Sequence, residues 1–222
     1  MFGDAAGCAV IARPDTRGPN ASFPAFEYLD MGAHYIPDTR HVLTIAVSEE
    51  YGLYYENSIK KELPVKLNAT LAKQFRNWQK SVLGDISPND CAYAVHPGGK
   101  KLLQNFESLI SDYGVKNAAN ELKNSYKNLR EYGNLASAAI IFILGDVCRE
   151  TEKDSIYFMA MGPGVCLEYG GMRRYKAGSK RSKSNRAGGN NSNVVPLLLA
   201  IIVVLVAFIV GGYTVNDLKN ML

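Results

Sequence analysis

Residues 93–104 read YAVHPGGKKLLQ, in which a short apolar run ends at a histidine that is followed by Pro-Gly-Gly. The apolar run predicts a short buried strand over Ala92–Val95. A histidine at the end of a buried strand, beside glycines that let a ligand approach the backbone, is a common catalytic placement. His96 is therefore a candidate catalytic residue, and a hydrogen-bonded structural histidine is the alternative that this motif leaves open.

Strand-like and helix-like segments alternate on both sides of this motif. Apolar residues recur at helical spacing or fill a whole segment in three places, so helices are expected at Lys66–Ser81, Lys101–Tyr113 and Asn134–Arg149. Further strands are expected at Phe2–Ala12, Val42–Val47, Ile156–Met161 and Val165–Met172. The third helix is apolar nearly all round, which predicts that it is deeply buried. The alternation indicates an α/β layered architecture.

Asn134 lies in the segment EYGNLASAA, residues 131–139, at the expected start of the third helix. Asparagine is a good helix N-cap, and capping is the plain structural explanation of this residue. The small residues that follow allow the start of the helix to pack very close to another group. An amide donor at a buried helix N-terminus also suits an anion or oxyanion site, so Asn134 is the second candidate functional residue.

Charge and cysteine spacing argue against two classes of protein. Seven basic residues and no acidic residue lie between Arg173 and Arg186, whereas the remainder of the chain is mildly acidic. This distribution does not suggest a globular domain that binds nucleic acid. The four cysteines are widely spaced and form no Cys-x-x-Cys pair, so neither a zinc site nor a disulfide scaffold is expected. Cys8 has apolar neighbours and is expected in the core.

The C-terminal part of the chain predicts a linker and a membrane span. Residues 176–193 contain only Gly, Ser, Asn, Ala, Lys and Arg, and predict a flexible basic linker after a globular domain of residues 1–175. Residues 194–213 are uncharged, and a helix of this length covers about 30 Å, the thickness of the hydrocarbon core of a bilayer. We therefore expect one transmembrane helix, followed by a short polar tail of residues 214–222.

The basic linker precedes the predicted span, and Lys219 is the only basic residue in the sequence after it. The positive-inside rule then places the globular domain in the cytosol. The chain is expected to be a single-pass membrane protein with a C-terminal anchor, and the moderate length of the span favours the endoplasmic reticulum. No signal peptide is expected, because the first residues already resemble a buried strand.

Four motifs in a fixed order carry a family resemblance. They are FGDAA at residues 2–6, YAVHPGGKKLLQ at 93–104, EYGNLASAAIIFILGDVCRE at 131–150 and FMAMGPGVCLEY at 158–169. In this order they resemble the type III polyketide synthases, the chalcone and stilbene synthase family, over about residues 1–172. Ketoacyl synthase III looks similar around Tyr-Gly-Asn but carries His-Gln-Ala-Asn after its strand, so a fatty acid condensing enzyme is the less favoured alternative. The resemblance implies the C-terminal half of a thiolase-like fold, which is a layered α-β-α structure.

The resemblance also implies an activity, the decarboxylative condensation of malonyl-CoA with an acyl-CoA starter by an acyltransferase. It makes His96 and Asn134 two members of a Cys-His-Asn triad. Both chemical steps put negative charge on a thioester oxygen, for which a neutral imidazole N–H and an amide NH₂ are suitable donors. The histidine would also help to hold the cysteine as a thiolate. CoA thioesters are then the substrates, and neither a cofactor nor a metal is implied.

Several further residues match positions along the substrate cavity of that family. Phe2 and Tyr55 match two gatekeeper phenylalanines between the CoA tunnel and the cavity, and the hydroxyl of Tyr55 departs from the pattern. Gly3 follows the first gatekeeper, and Ala136 matches a cavity-lining serine. The loop that shapes the cyclisation pocket matches Ala160, Met161, Gly162, Pro163 and Gly164.

In the family, the nucleophilic cysteine and much of the basic surface that binds CoA belong to an N-terminal half that this sequence does not match. Cys8 does not fit the nucleophile's role, because it follows the Phe-Gly-Asp motif. We therefore expect a fragment, or a half-enzyme that needs the missing N-terminal half or a homodimer partner. A non-catalytic, membrane-anchored half-fold that acts as an interaction protein is the alternative.

Overall fold

A computed structural model of the chain describes residues 3–9, 24–39, 44–50, 52–56, 62–80, 84–162 and 164–176. Its strands are β1 (Phe26–Tyr35), β2 (Thr44–Ser48), β3 (Gly52–Glu56), β4 (Cys91–Val95), β5 (Ser155–Gly162) and β6 (Cys166–Arg174). Its helices are α1 (Glu62–Trp78), α2 (Lys100–Asp112), α3 (Ala118–Glu121), α4 (Lys123–Glu131) and α5 (Ala138–Glu150). A 3₁₀ turn at Pro88–Asp90 leads into β4.

Four of these strands form one mixed sheet in the order β1-β6-β5-β4. The pairs β1–β6 and β5–β6 are antiparallel, whereas β4 and β5 are parallel, from Cys91 opposite Ser155 to Val95 opposite Met159. Parallel neighbours need a crossover, and helices α2 to α5 supply it here. Strands β2 and β3 form a separate two-stranded antiparallel sheet.

The alternation of side chains along β4 and β5 builds a core on each face of the sheet. Tyr93, Val95 and Tyr157 point to one face, where they pack with the buried residues of α1 and α2. Ala92 and Ala94 point to the other face and pack against α5. The described part of the chain therefore forms three layers, with α1 and α2 on one side of the sheet and α5 on the other. The two alanines allow α5 to approach the sheet closely.

Aromatic side chains dominate the core between the sheet and the helices α1 and α2. The rings of Phe75, Tyr93, Phe106 and Tyr157 are mutual neighbours, with centroids 5.4–6.3 Å apart. Such pairs add about 0.5–1.5 kcal/mol each beyond the area that they bury. The hydroxyl of Tyr93 donates to the carbonyl oxygen of Pro88 at 2.8 Å, so burial of this ring leaves its polar end satisfied.

Helix α4 covers the free edge of β4. It packs against α5, α2 and β4. The backbone N–H of Val95 donates to the Oγ of Ser125 on α4 at 3.2 Å, and Ser125 is fully buried. The helix thereby satisfies a donor that no strand takes up, which is one way in which proteins close the edge of a sheet.

The three predicted helices are present, and the apolar face predicted for the first is buried, but the description of the third was wrong. Helix α5 begins at Ala138 instead of Asn134, because Ala136 has a φ of 49°, outside the helical region. It is also not buried all round, because Phe142 is 42% exposed. Its buried residues lie on one face and are Ala138, Ala139, Ile143 and Val147.

The strand predicted over Phe2–Ala12 is wrong for the residues that the structure describes, because none of residues 3–9 belongs to a strand. This segment passes over α5 instead, so close that a Cβ on Gly7 would lie 3.3 Å from Ile141. Cys8 is exposed and does not lie in the core. The predicted strands near residues 42–47, 92–95, 156–161 and 165–172 are confirmed as β2, β4, β5 and β6.

Within the described ranges, no helix is long and apolar enough to cross a bilayer. The predicted span of residues 194–213, the tail of residues 214–222 and all of the linker except Lys176 lie outside these ranges.

Candidate active site

One edge of the four-stranded sheet collects most of the candidate residues. Strand β4 ends at Val95, so His96 leaves the sheet at the carboxyl edge of the parallel pair. Helix α5 is joined to β5 by a short connection, so the two run antiparallel and the start of α5 lies at the same edge. The segment around Asn134 enters α5 there, β5 ends there at Gly162, and β6 begins there at Cys166. Topology therefore brings three of the four sequence motifs together.

His96 is a buried imidazole with 6% of its surface exposed. Its backbone N–H donates to the carbonyl oxygen of Met159 at 2.8 Å, which attaches it to β5. Burial lowers the pKa of His96 to about 4, because the charged form is poorly solvated there. The imidazole is therefore neutral at neutral pH and keeps one N–H donor.

Gly98 lies against the imidazole of His96. A Cβ at this position would be 3.6–3.7 Å from Cδ2 and Nε2 of His96 and 3.1 Å from the side chain of Leu102. The glycine therefore leaves open the space over the Nε2 edge of the ring, where a side chain would narrow the access.

Asn134 is also buried, and its amide oxygen is already used. The Oδ1 atom accepts a hydrogen bond from the backbone N–H of Ala136 at 3.0 Å. A backbone N–H can only donate, so this bond identifies the oxygen of the amide and leaves the NH₂ group as a donor. The carbonyl oxygen of Asn134 accepts from the N–H of Gly3 at 3.2 Å. Asn134 thus closes a turn before α5 instead of capping the helix, whose N-cap residue is Ser137.

Ala136 and Val165, neither of which is a glycine, have positive φ at this same edge. Ala136 has a φ of 49° between Asn134 and α5, and Val165 has a φ of 44° after Gly164. Such conformations are costly for residues other than glycine, and strain of this kind is often found at functional sites. A backbone hydrogen bond holds the conformation of Val165, because its carbonyl oxygen accepts from the N–H of Ile36 at 3.1 Å.

The structure separates the predicted site residues into three groups. The residues that lie at the described edge, or bond to it, are Gly3, His96, Asn134, Ala136, Met161, Gly162 and Gly164. Tyr55 lies instead on β3 in the two-stranded sheet, opposite Ile45. Phe2 and Pro163 lie outside the described residues.

Sequence reasoning missed helix α4 and its buried polar side chains. Asn124, Ser125 and Asn128 are at most 5% exposed, and in the described part of the chain Oδ1 of Asn128 has no hydrogen-bond partner. The segment KNSYKNLRE has no apolar stripe, so hydrophobic periodicity does not reveal which face is buried. Its sequence signal is weak, because only its last three residues, Leu129, Arg130 and Glu131, form a run of good helix formers before the Tyr-Gly-Asn motif.

Comparison with protein families gives a match to the chalcone and stilbene synthases, C-terminal domain, over residues 29–173. Among curated relatives, type III polyketide synthase 10 of Oryza sativa subsp. japonica is 28% identical over 182 residues, which cover 76% of this chain and 42% of the relative. Type III polyketide synthase A of Arabidopsis thaliana is 29% identical over 176 residues, with coverage of 76% and 42%. The chain thus spans less than half the length of these relatives.

Solved structures of the same kind share the fold. A type III pentaketide synthase from Neurospora crassa aligns with a TM-score of 0.60 at 24% identity, covering 72% of this chain and 44% of that one. The C-terminal type III polyketide synthase domain of Steely1 from Dictyostelium aligns with a TM-score of 0.58 at 22% identity, covering 71% and 43%. The family match and the shared fold agree with the motif order: this chain belongs to the chalcone and stilbene synthase family and contains its C-terminal domain, the C-terminal half of a thiolase-like fold.

Proposed function

We propose that this domain takes part in an acyltransferase reaction in which malonyl-CoA is decarboxylated and condensed with an acyl-CoA starter. The observation that carries the proposal is the pair of donors at the carboxyl edge of the sheet. The imidazole of His96 is buried and neutral, and the oxygen of Asn134 is occupied, so its NH₂ group remains to donate. Relatives that are named type III polyketide synthases support the same reaction class.

In this proposal His96 and Asn134 hold the thioester oxygen of the malonyl group. The bond between the carboxylate carbon and the α-carbon breaks, CO₂ leaves, and the electron pair moves onto the thioester oxygen as an enolate. Two fixed donors in a buried site stabilise that charge better than water does. The enolate carbon then attacks the carbonyl carbon of the acyl group, the bond from that carbon to sulfur breaks, and the sulfur that carried the acyl group leaves as a thiolate. Neither donor changes its charge during these steps.

We further propose that the nucleophilic cysteine comes from a complementary N-terminal half. The resemblance assigns the cysteine to that half, and the chain spans 42% of the length of its rice relative. The outer face of α5 supports this, because Phe142 is 42% exposed and Leu144 is only partly buried. An exposed apolar helix face of this kind marks an interaction surface.

The test is reconstitution of the full chain with the N-terminal half of a type III polyketide synthase, followed by measurement of malonyl-CoA decarboxylation. We expect turnover only in the complex, and a loss of at least about 100-fold for His96→Ala and for Asn134→Ala, as for removal of other oxyanion donors. Cys8→Ala is the matched control and should leave the rate unchanged. Equal rates for all variants would contradict the proposal, and binding of the two halves without turnover would favour the non-catalytic interaction protein.

We also propose that residues 194–213 anchor the domain to the cytosolic face of a membrane, with the endoplasmic reticulum favoured. The uncharged length of this segment and the basic residues before it support the proposal. After expression in eukaryotic cells, alkaline carbonate should leave the full chain in the membrane pellet and release a chain truncated after residue 193. Release of the full chain would contradict the anchor. A glycosidase mobility shift at the Asn20 or Asn68 sequon would contradict the orientation.

A further inference from the structure

Helix α4 is unusual because its buried side chains are polar, whereas its hydrophobic residues Tyr126 and Leu129 are only partly buried against the core. Asn124, Ser125 and Asn128 are all buried, at positions that share one side of the helix. Buried polar groups are normally bonded, and two of these bonds cross to other elements. Ser125 Oγ accepts from the N–H of Val95 on β4 at 3.2 Å, and Asn124 Nδ2 donates to Oε2 of Glu150 on α5 at 3.3 Å.

The bond from Ser125 reaches the residue next to His96. Val95 ends β4, and its N–H points away from β5 towards α4. The backbone N–H of His96 is held on the other side by Met159 of β5. Hydrogen bonds thus hold the end of β4 on both sides, and Ser125 accepts one of these two bonds. Since Ser125 has no exposed surface, water does not replace it readily.

The same helix leads directly to Asn134. Helix α4 ends at Glu131, and its hydrogen bonding continues through the N–H groups of Tyr132 and Gly133, which donate to the carbonyls of Asn128 and Leu129. Asn134 follows immediately. A rigid helical segment therefore connects the Ser125 bond, at the His96 side, to the backbone that carries the amide.

We propose that Ser125 is a positioning residue that sets the spacing between the imidazole of His96 and the amide of Asn134. It contacts neither substrate nor reacting atom, and it acts through the backbone of Val95. The catalytic importance of that spacing rests on the proposed function, whereas the structural effect of Ser125 on His96 does not. Without the hydroxyl, the buried N–H of Val95 loses its acceptor, so the end of β4 moves or admits water to regain one.

The experiment compares Ser125→Thr with Ser125→Val in the full chain. The two side chains have the same shape and differ only in the hydroxyl. Histidines carrying ¹³C labels give one signal for each of the three histidines of the chain, and His96→Gln assigns that of His96. We expect Ser125→Thr to titrate like the native chain. In Ser125→Val the pKa of His96 should rise by roughly one unit through hydration, and the amides of Val95 and His96 should exchange at least about tenfold faster.

Leu71→Ala on α1 is the control for a general loss of stability, since α1 lies on the opposite face of the sheet from α5. It should lower the melting temperature without moving the titration of His96. Identical His96 titrations for the threonine and valine variants would overturn the inference, as would an equal shift in Leu71→Ala. If valine prevents folding, Ser125→Ala takes its place, because it removes the hydroxyl without adding volume. These readouts need no turnover, so an inactive reconstituted complex would contradict the proposed function and leave this inference standing.

Discussion

Asn134 shows how one side chain serves the fold and the site with different atoms. Its oxygen accepts the N–H of Ala136 and closes the turn that leads into α5. Its NH₂ group takes no part in that turn. Changes that preserve the acceptor therefore separate the structural contribution of this residue from the chemical one.

Asn134→Ser should keep most of the stability and lose the reaction. A serine hydroxyl closes the same kind of turn more weakly, whereas Asn134→Ala removes the acceptor and should lower the free energy of unfolding by about 0.5–1.5 kcal/mol. Urea unfolding of the chain measures the first effect, and decarboxylation by the reconstituted complex measures the second. Native-like turnover of the serine variant would show that the NH₂ group is not needed.

His96 should make the stability depend on pH in a defined window. Burial lowers its folded pKa to about 4, below the ordinary value of 6.5, so in acid the unfolded chain takes up the proton first. The contribution of His96 is constant above about pH 6.5 and falls between pH 6.5 and pH 4, by about 3 kcal/mol at most.

Urea unfolding of the native chain and of His96→Gln across this range measures the effect. Glutamine does not titrate, so the difference in the free energy of unfolding between the two chains isolates His96. The lowered pKa of the Glu150 carboxyl, held by hydrogen bonding to Lys123, changes stability only below about pH 4.5 and is common to both. Equal slopes for both chains would refute burial of a neutral imidazole.

At the scale of elements, Lys153 holds the start of β4 by hydrogen bonds, as Ser125 holds its end. Its Nζ donates to the carbonyl oxygens of Asn89 and Cys91 at 2.9 Å and to Oε1 of Glu121 at 2.6 Å. The ion pair is mostly buried, with 28% of the lysine and 20% of the glutamate side chain exposed. All three donors of the ammonium group are therefore used.

Lys153→Met should lower the free energy of unfolding by about 1–3 kcal/mol, because it leaves a mostly buried carboxylate and two carbonyl acceptors without their donor. Lys123→Met is the matched control. Lys123 pairs with Glu150 at 3.0 Å, but 56% and 41% of the two side chains are exposed, so a loss of at most about 0.5 kcal/mol is expected. Equal losses in denaturant unfolding would show that the Lys153 contacts add nothing beyond a surface pair.

Elements with a clear apolar period could be predicted, and those without one could not. Helix α1 shows Leu67, Leu71 and Phe75 on one side, and all three are buried. Helix α4 buries polar residues, so its pattern gives no sign of its packing. Strand β1 was missed because it lies at the edge of the sheet and carries a mixed set of partly exposed residues.

At the scale of the whole molecule, the outer face of α5 should govern assembly. Phe142→Glu places a charge on that face and should weaken binding of a complementary N-terminal half at least about tenfold, because the carboxylate would be buried without a partner. Gln104→Glu is the control, since it adds the same charge to an exposed position of α2 on the opposite side of the sheet. Biolayer interferometry on the immobilised full chain measures both. Equal affinities would exclude this face as the docking surface.

The sequence by itself determined the family and the α/β class and predicted His96 and Asn134 as candidate site residues, because motifs and hydrophobic periods are local properties of the chain. It also predicts the anchor over residues 194–213 on length and charge alone. Tertiary structure decided the rest. It gathered three of the four motifs at one edge of the sheet, began α5 at Ala138, left Phe142 exposed and showed which atom of Asn134 is occupied. These features depend on which elements become neighbours, and that depends on packing and hydrogen bonds between residues far apart in the sequence.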